Sequence, residues 1–508
     1  MKRKQCPPKD ISLKSYFLGP QAENTQFLQS AFLEIVSHYC NWRKSLFPLD
    51  GKAISHDDQL HPQFLKNQKS IQLLMETLSL NFQNEIPQFS PRYLGHMFSE
   101  LTLPGLLGHF VALLHNPNNI SKESSLVGLN IEREAIDSLG KMFKWRKTIG
   151  HLTSGGTVAN LEALLRMRHR IPFEHRTKAK LLTSAAAHYS WKKNLKILGY
   201  DDSALVEVPL DKYGRLCTKS FKKILTAADY PILGVVTLFG STERGTVDDI
   251  QDVNHILELH SNMKIWHHVD AAYGGFFACA QHATHSYLAK QTDALKYIES
   301  LTLDPHKLGY VPYGCGAFLC RKSKDYFYSD VEAPYIQFKS AQEAGVQSVE
   351  GSRPATGAAA TWLTSKSIGF NSDGLGRVLN RHLETKSKFQ KQLSKNFKNL
   401  IFTEGSDLNI LCWTVKGSTK RLSEANSKVD QLFADFPKQS LPFYISKTSL
   451  PLKKNSWLEA YLIKKGFQLD TKKCHLVRMT LMNPFLINRE TEISYVQEFI
   501  RTLKSMAF

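Results

Sequence analysis

The stretch that decides the fold is Ser300-Leu301-Thr302-Leu303-Asp304-Pro305-His306-Lys307-Leu308-Gly309-Tyr310. Its proline fixes a turn, and Lys307 follows that turn in an apolar setting on a predicted strand. Burial disfavours the charged ammonium of a lysine and leaves a free amine, which forms a Schiff base with an aldehyde. Most lysines are simply solvated, so this interpretation depends on what the rest of the chain supplies.

A glycine-containing turn lies earlier, in His151-Leu152-Thr153-Ser154-Gly155-Gly156-Thr157-Val158-Ala159-Asn160. The turn opens directly into a helical run. Backbone N–H groups at a helix N-terminus hold a phosphate monoester well. Paired glycines at the start of a helix are also ordinary turn chemistry, so this motif alone leaves both interpretations open.

A third motif is Val269-Asp270-Ala271-Ala272-Tyr273-Gly274-Gly275, in which a carboxylate ends an apolar strand. The small residues after Asp270 would let a flat ring approach. A buried aspartate needs a cationic partner to stay ionised, and a protonated pyridine nitrogen is such a partner. A strand-terminal aspartate that caps the next turn explains the motif equally well in isolation. The order of the three motifs, however, predicts one site.

The segments around these motifs predict an α/β protein. Residues 1–90 predict a helical N-terminal arm. In residues 91–370, short apolar strands alternate with helical segments, which is typical of a mostly parallel sheet in a large domain. Residues 371–508 mix basic helices with strands and predict a small C-terminal domain.

The region from Ser300 to Arg321 resembles the lysine site of the group II pyridoxal-phosphate (PLP) dependent amino-acid decarboxylases. This family includes glutamate, aromatic amino-acid and bacterial tyrosine decarboxylases, and the chain looks most similar to the last branch. The matching positions are Ser300, Leu301, Lys307, Leu308, Gly309, Tyr313, Cys315, Phe318 and Arg321. The further matching stretches are Ser90-Pro91-Arg92-Tyr93-Leu94-Gly95-His96-Met97, Leu114-His115-Asn116-Pro117-Asn118-Asn119, Glu350-Gly351-Ser352-Arg353-Pro354 and Leu481-Met482-Asn483-Pro484-Phe485.

The resemblance implies the PLP-dependent transferase-like fold, fold type I, with a mostly parallel central sheet and helices on both faces. It implies PLP as the cofactor and a homodimer with the active site at the subunit interface. Lys307 would form the Schiff base, Asp270 would face the ring nitrogen and His188 would stack on the ring. The cofactor contacts map to Gly155, Gly156, Thr157, His188, Thr242, Asp270, Ala272, His306 and Lys307.

Some of these roles have alternatives. Gly155, Gly156, Thr157 and His306 would contact the phosphate, but His306 is also explained as a structural residue of its turn. The resemblance places Thr242 near the ring hydroxyl and Ala272 under the ring. Because the family's pattern matches at these positions, they stay together as one predicted site.

The proton donor to Cα is where the chain departs from the family. Relatives carry a tyrosine on a loop from the partner subunit, and here Gln347 stands at the aligned position. Tyr335, earlier in the loop, is the alternative donor and completes the catalytic prediction with Lys307, His188 and Asp270. Relatives without the tyrosine can divert the carbanion into oxidative deamination, so a PLP-dependent aldehyde synthase or a carbon–carbon lyase stays an alternative.

The substrate is expected to be tyrosine or a related aromatic L-amino acid, with aspartate or glutamate as the alternative. Arg353 and Arg478 are possible partners of a substrate carboxylate, although structural roles explain them too. A PLP-binding protein without turnover and a basic binding module are further alternatives. The combination of Lys307, Asp270 and His188 favours the enzyme.

Composition and charge bear on whether the protein binds nucleic acid, spans a membrane, is secreted or holds a metal. The net charge of +19 suggests nucleic acid or an anionic surface, but the lysines follow helix faces without a recognition motif, so no nucleic-acid partner is expected. No apolar run is long enough for a membrane span, and no secretory signal is found. The eight cysteines have no metal-site spacing, so we expect reduced thiols, no metal and a cytoplasmic enzyme.

Overall fold

The structure is a computed structural model that describes residues 11–282, 286–327, 345–487 and 494–506. The helices are α1 (Ile11–Lys14), α2 (Thr25–Leu46), α3 (His56–Leu60), α4 (Pro62–Phe82), α5 (Leu103–His115), α6 (Leu126–Lys141), α7 (Gly156–Arg170), α8 (Ser190–Ile197), α9 (Thr218–Thr226), α10 (Ile250–Leu259), α11 (Tyr287–Ala294), α12 (Thr356–Ser367), α13 (Leu375–Asn396), α14 (Leu422–Asp435), α15 (Ser456–Lys464) and α16 (Tyr495–Ser505). The strands are β1 (Tyr93–Leu94), β2 (Ile149–Thr153), β3 (Lys180–Ser184), β4 (Leu205–Val208), β5 (Ile232–Leu238), β6 (His267–Asp270), β7 (Ser300–Leu303), β8 (Gly316–Cys320), β9 (Leu400–Phe402), β10 (Ile410–Val415), β11 (Tyr444–Pro451) and β12 (Lys473–Thr480).

The central sheet has seven strands in the order β2-β8-β7-β6-β5-β3-β4. Neighbouring strands from β7 to β4 are parallel, and only β8 runs against both of its neighbours. Every residue of β5, β6, β7 and β8 is buried. Burial on both faces explains their near-continuous apolar sequences. The predicted α/β fold with a mostly parallel central sheet is confirmed.

A second sheet has five strands in the order β1-β11-β12-β10-β9. Its strands are antiparallel except for β1, which pairs in parallel with β11. Tyr93 and Leu94 therefore join a sheet made mainly of C-terminal residues, although they lie just inside the segment predicted as the large domain. The boundaries near residues 90 and 370 stay predictions.

The segment predicted as an arm contains α1 to α4. No residue of α2 or α4 is buried. α2 rests on α5 through Phe32 and Phe110, whose ring centroids are 4.5 Å apart. The apolar side chains of these helices therefore have too few partners within one chain to be covered.

The described residues also bear on the expectations about membrane spans, metal sites and cysteine thiols. No helix in the described ranges is long and apolar enough to cross a membrane. Within the same residues, no cluster of three or more histidine, cysteine, aspartate or glutamate side chains is arranged to hold a metal ion. The seven cysteines that the structure describes are all free thiols.

Candidate active site

A cavity of about 630 Å³ lies at the carboxyl ends of the central parallel strands. Ligands of open α/β sheets bind at this edge, where successive loops converge. The structure brings all nine predicted cofactor contacts to the cavity lining, namely Gly155, Gly156, Thr157, His188, Thr242, Asp270, Ala272, His306 and Lys307. Tyr335, the predicted proton donor, lies outside the described residues.

The glycine turn connects β2 to α7 and points the N-terminus of that 15-residue helix at the cavity. A Cβ atom on Gly156 would lie 2.8 Å from Asp304 Oδ2 and 3.2 Å from Ala272 Cβ, so a larger residue does not fit there. Glu350 accepts from the Ser154 N–H through both carboxylate oxygens at 3.2 Å. In the first turn of α7 the Val158 N–H donates to the Gly155 carbonyl at 3.0 Å, which leaves the Gly156 and Thr157 N–H groups for an anion.

Asp270 ends β6 and is held by donors on both carboxylate oxygens. Its Oδ2 accepts from Asn160 Nδ2 and from Trp191 Nε1, each at 3.0 Å. Its Oδ1 accepts from the Ala272 N–H at 3.2 Å. The residue is 7% exposed, and these donors hold its carboxylate in one orientation. A fixed, buried carboxylate at the cavity suits a cationic ring nitrogen.

Lys307 lies in a turn after β7 rather than on a strand, because the strand ends at Leu303. Its Nζ is 2.9 Å from Asp304 Oδ2, and its side chain is 20% exposed. The prediction that this lysine lies in an apolar setting is therefore wrong, because the buried Asp304 carboxylate lies beside its amine. Backbone bonds from Lys307 N–H to Asp304 O at 3.0 Å and from Tyr310 N–H to Lys307 O at 3.1 Å fix the turn.

Two of the three histidines that line the cavity, His188 and His306, are buried enough to favour the neutral ring. Burial lowers the pKa of His188, and the Lys307 charge adds to this while Asp270 and Asp304 oppose it. Burial also lowers the pKa of His306. The His306 ring accepts from the Cys315 N–H at 3.2 Å and stacks on Tyr313 with centroids 4.1 Å apart. The position of His306 in the lining supports the phosphate role, and its contacts with Cys315 and Tyr313 support the structural role.

The two arginines considered as carboxylate partners differ. Arg353 is buried outside the cavity lining and bonds Ser348 Oγ at 2.9 Å and Glu132 Oε2 at 3.2 Å. Arg478 on β12 lines the cavity and donates through Nε to the Thr242 carbonyl at 3.0 Å. Among the described residues its Nη2 has no hydrogen-bond partner. Only Arg478 is therefore placed to bind a ligand in this cavity.

The cavity has two walls of different composition. The Asp270 wall consists of Gly155, Gly156, His188, Asp270 and Lys307, all around the central sheet. The Arg478 wall consists of His96, Phe98, Tyr313 and Arg478. Its rings approach one another, with centroids 6.4 Å apart for His96 and Phe98 and 5.2 Å apart for Phe98 and Tyr313.

Sequence reasoning missed Asn160, Ser190, Trp191 and Asp304. Asn160 follows Gly156 by one helical turn on α7, so the helical period could have indicated that it faces the same cavity. Asp304 stands in the quoted lysine motif but was not assigned a role. Gln347, aligned with the family's tyrosine, does not line the cavity; its carbonyl accepts from Arg166 Nη2 at 2.9 Å.

Comparisons with known proteins agree on one family. The model of the pyridoxal-dependent decarboxylase conserved domain matches residues 55–416. The L-tyrosine decarboxylase of Enterococcus faecium is 28% identical over 502 residues, covering 81% of this chain and 79% of that protein. The L-aspartate decarboxylase of Thermococcus kodakarensis is 33% identical over 265 residues, covering 52% of this chain and 65% of that protein.

A solved structure supports the fold. The crystal structure of Oryza sativa TDC with PLP and tryptamine superposes with a TM-score of 0.71 at 15% identity, covering 94% of this chain and 98% of the other. At this identity the likeness concerns the fold.

Proposed function

Because the chain belongs to the pyridoxal-dependent decarboxylase family, we propose that it decarboxylates an aromatic L-amino acid, with tyrosine favoured, to the amine and carbon dioxide. It is a PLP-dependent carboxy-lyase. The observation that carries the proposal is the cavity in which Lys307, Asp270 and the α7 N-terminus meet. These three features match the three parts of the cofactor, which are an aldehyde, a ring nitrogen and a phosphate.

Bound PLP supplies an aldehyde that condenses with amines and a cationic ring that accepts the electron pair of the broken Cα–carboxylate bond. Toward it, the N–H groups of the first turn of α7 would hold the phosphate, with His306 beside them. The Asp270 carboxylate would keep a proton on the ring nitrogen. Lys307 Nζ would anchor the aldehyde, and Asp304 would accept the proton that the ammonium gives up. Support for these roles is the position of each side chain in the cavity lining.

The charge of the cavity favours a substrate with one carboxylate. Among the described residues of the lining, the lysine and arginine side chains are Lys307 and Arg478. Lys307 is needed by the cofactor, so Arg478 alone is left for a carboxylate. A dicarboxylic substrate would bring a second carboxylate without a guanidinium or ammonium partner, and burying it unpaired is costly.

The Arg478 wall also supports an aromatic side chain. Phe98 and Tyr313 offer ring faces, and aromatic pairs prefer the tilted, offset contacts that these rings already make with each other. Burial and, to a smaller extent, the charge of Arg478 lower the pKa of His96, so this ring is neutral at neutral pH. A phenol or indole would therefore meet the rings of this wall, while Arg478 is left for the carboxylate.

A product screen tests the proposal. Purified enzyme with PLP is incubated with tyrosine, phenylalanine, tryptophan, aspartate and glutamate, and amines, carbon dioxide, hydrogen peroxide and ammonia are measured. We expect amine and carbon dioxide in equal amounts from an aromatic substrate. Amine from aspartate alone would overturn the substrate class. Hydrogen peroxide and ammonia in place of amine would instead support the aldehyde synthase.

We also propose a homodimer whose interface includes the arm. Its two long helices bury no residue within one chain, which is unusual for apolar side chains. The exposed ones include Leu33, Ile71, Leu74 and Leu78. A second copy is the occupant that the family resemblance implies.

Light scattering tests the dimer. The wild type should have twice the chain mass. Ile71→Asp with Leu74→Asp should halve it, while the matched exposed change Lys69→Asp should not. A wild-type monomer would contradict the proposal.

A further inference from the structure

Two buried side chains, Asn160 and Ser190, join Asp270 to His188 by hydrogen bonds. Asn160 Nδ2 lies 3.0 Å from Asp270 Oδ2 and 3.1 Å from Ser190 Oγ. Ser190 Oγ lies 2.9 Å from His188 Nδ1. Asn160 is 1% exposed and Ser190 is fully buried, so water does not compete for these bonds.

The direction of each bond follows from Asp270. An ionised carboxylate only accepts, so the Asn160 atom beside it must be the amide nitrogen. This nitrogen carries two hydrogens and gives the second to Ser190 Oγ. Since Ser190 Oγ accepts from Asn160, its own hydrogen is left for His188 Nδ1.

His188 Nδ1 also faces a second donor. The Ser190 backbone N–H points at it from 3.3 Å. A ring nitrogen that accepts from a backbone N–H carries no hydrogen of its own, and a neutral imidazole then carries its hydrogen on Nε2. Burial lowers the pKa of His188, which favours this neutral ring over the doubly protonated one. The charged groups whose fields reach it are Asp270, Asp304 and Lys307.

We propose that Asn160 is a positioning residue that orients the Asp270 carboxylate and, through Ser190, fixes His188 as the Nε2–H tautomer. The inference rests on the proposed cofactor roles of Asp270 and His188. In this arrangement His188 offers a hydrogen-bond donor at Nε2, so it can hold a carboxylate oxygen but cannot take a proton at that atom. One amide thereby sets the state of both groups.

Asn194 provides a matched control. It has the same exposure as Asn160, 1%, and its Nδ2 donates to the Thr157 carbonyl at 2.8 Å. It therefore also ties α8 to α7, but it contacts neither Asp270 nor His188. A general loosening of these two helices should appear in Asn194→Ala, whereas loss of the Asn160–Ser190 connection should not.

The tautomer is measured by ¹⁵N NMR of the histidine-labelled full chain before cofactor is added, with His188→Gln assigning the signals. We expect a pyridine-type Nδ1 and a pyrrole-type Nε2 in the wild type and in Asn194→Ala. Asn160→Ala and Ser190→Ala should each shift part of the population toward the Nδ1–H tautomer, because only the longer backbone bond at 3.3 Å then still favours Nε2–H. A hydrogen on Nδ1 in the wild type, or equal changes in Asn160→Ala and Asn194→Ala, would overturn the proposal.

The affinity for PLP distinguishes the bond from Asn160 to Asp270 from the bond between Ser190 and His188. Asn160→Ala should weaken PLP binding about tenfold, since it removes a donor from a buried carboxylate. Ser190→Ala should change the affinity less than Asn160→Ala, because it does not contact Asp270. Equal losses of PLP affinity in these two variants would overturn the assignment of the Asn160 amide as the donor to Asp270. If Asn160→Ala does not fold, Ser190→Ala decides through the tautomer alone. Failure of the wild type to bind PLP would instead overturn the proposed roles of Asp270 and Lys307.

Discussion

The Asp270 wall and the Arg478 wall face the same cavity but are built differently. Most of the Asp270 wall lies at the ends of strands and helices of the central sheet, where every carboxylate oxygen of Asp270 already has a donor. The Arg478 wall combines a segment after β1, a turn after Lys307 and strand β12. Its Tyr313 is 52% exposed.

From this difference we expect the Asp270 wall to affect the chemistry and the Arg478 wall to affect the choice of substrate. In the proposed function, the fixed, buried groups of the Asp270 wall would act on the cofactor itself and would therefore serve any substrate. We expect the Arg478 wall to contact mainly the substrate, although Tyr313 stacks on His306 and Arg478 donates to the Thr242 carbonyl. Changes on the first wall should therefore alter cofactor binding and all substrates alike, while changes on the second should alter the Michaelis constant and the choice of substrate.

Replacing the lysine of the Asp270 wall should have the largest effect. Lys307→Ala removes the amine that anchors the aldehyde, so turnover should fall on the order of 10⁴-fold or more. The visible absorbance of bound PLP should vanish as well. Lys386 is a matched control, since burial lowers its pKa to about 8 but it lies outside the cavity lining. Lys386→Met should keep the absorbance; normal turnover in Lys307→Ala would break the comparison.

The buried aspartate should give the next largest effect. Asp270→Ala should retain part of the cofactor but lower kcat by about 10² to 10³, because the proton on the ring nitrogen is no longer stabilised. Stopped-flow and equilibrium titration with PLP measure the two quantities. Asp248→Asn changes another buried aspartate, which accepts from the Leu216 and Leu238 N–H groups and lies outside the lining. Equal losses of kcat in both variants would argue for a structural effect.

Replacing Arg478 should affect substrate binding rather than cofactor binding. Arg478→Lys shortens and narrows the donor, so KM for the amino acid should rise roughly tenfold to a hundredfold while PLP absorbance is unchanged. Arg353→Lys should lower thermal stability without this change in KM, since Arg353 bonds Glu132 away from the cavity. A loss of cofactor absorbance in Arg478→Lys would show that the two walls are not separate.

The smallest effect concerns pH. The pKa of His188 is lowered from the ordinary 6.5, so the neutral ring persists as pH falls and is lost only below that value. The acid limb of kcat/KM should therefore have its midpoint below 6.5. His282 also has a pKa lowered by burial, but it lies outside the lining, and His282→Gln should leave the limb in place. A midpoint above 6.5 would contradict the assignment to His188.

The two walls also differ in how far the sequence predicts them. Asp270, Lys307 and the glycine turn each sit in a local motif at a strand end or helix start, so spacing and family resemblance could locate them. Asn160 was missed because its role depends on a fold-level contact with Asp270, 110 positions away. Arg478 could be weighed only against Arg353, because nothing local distinguishes a cavity arginine from a buried structural one.

The proton donor was predictable to a smaller extent. The family resemblance aligns Gln347 with the tyrosine of relatives, and in the structure its backbone carbonyl accepts from Arg166, outside the cavity lining. Tyr335 stays a prediction. Substrate choice depends on the Arg478 wall, whose residues span positions 96 to 478 and come together only in the fold.

Borohydride reduction of the PLP-loaded enzyme, followed by peptide mass mapping, tests whether Lys307 forms the Schiff base with the cofactor. Reduction makes the bond between cofactor and lysine permanent, so the labelled peptide identifies the amine. We predict one label, on Lys307, which disappears in Lys307→Ala and persists in Lys386→Met. A label on another lysine, or none in enzyme that binds PLP, would contradict the account.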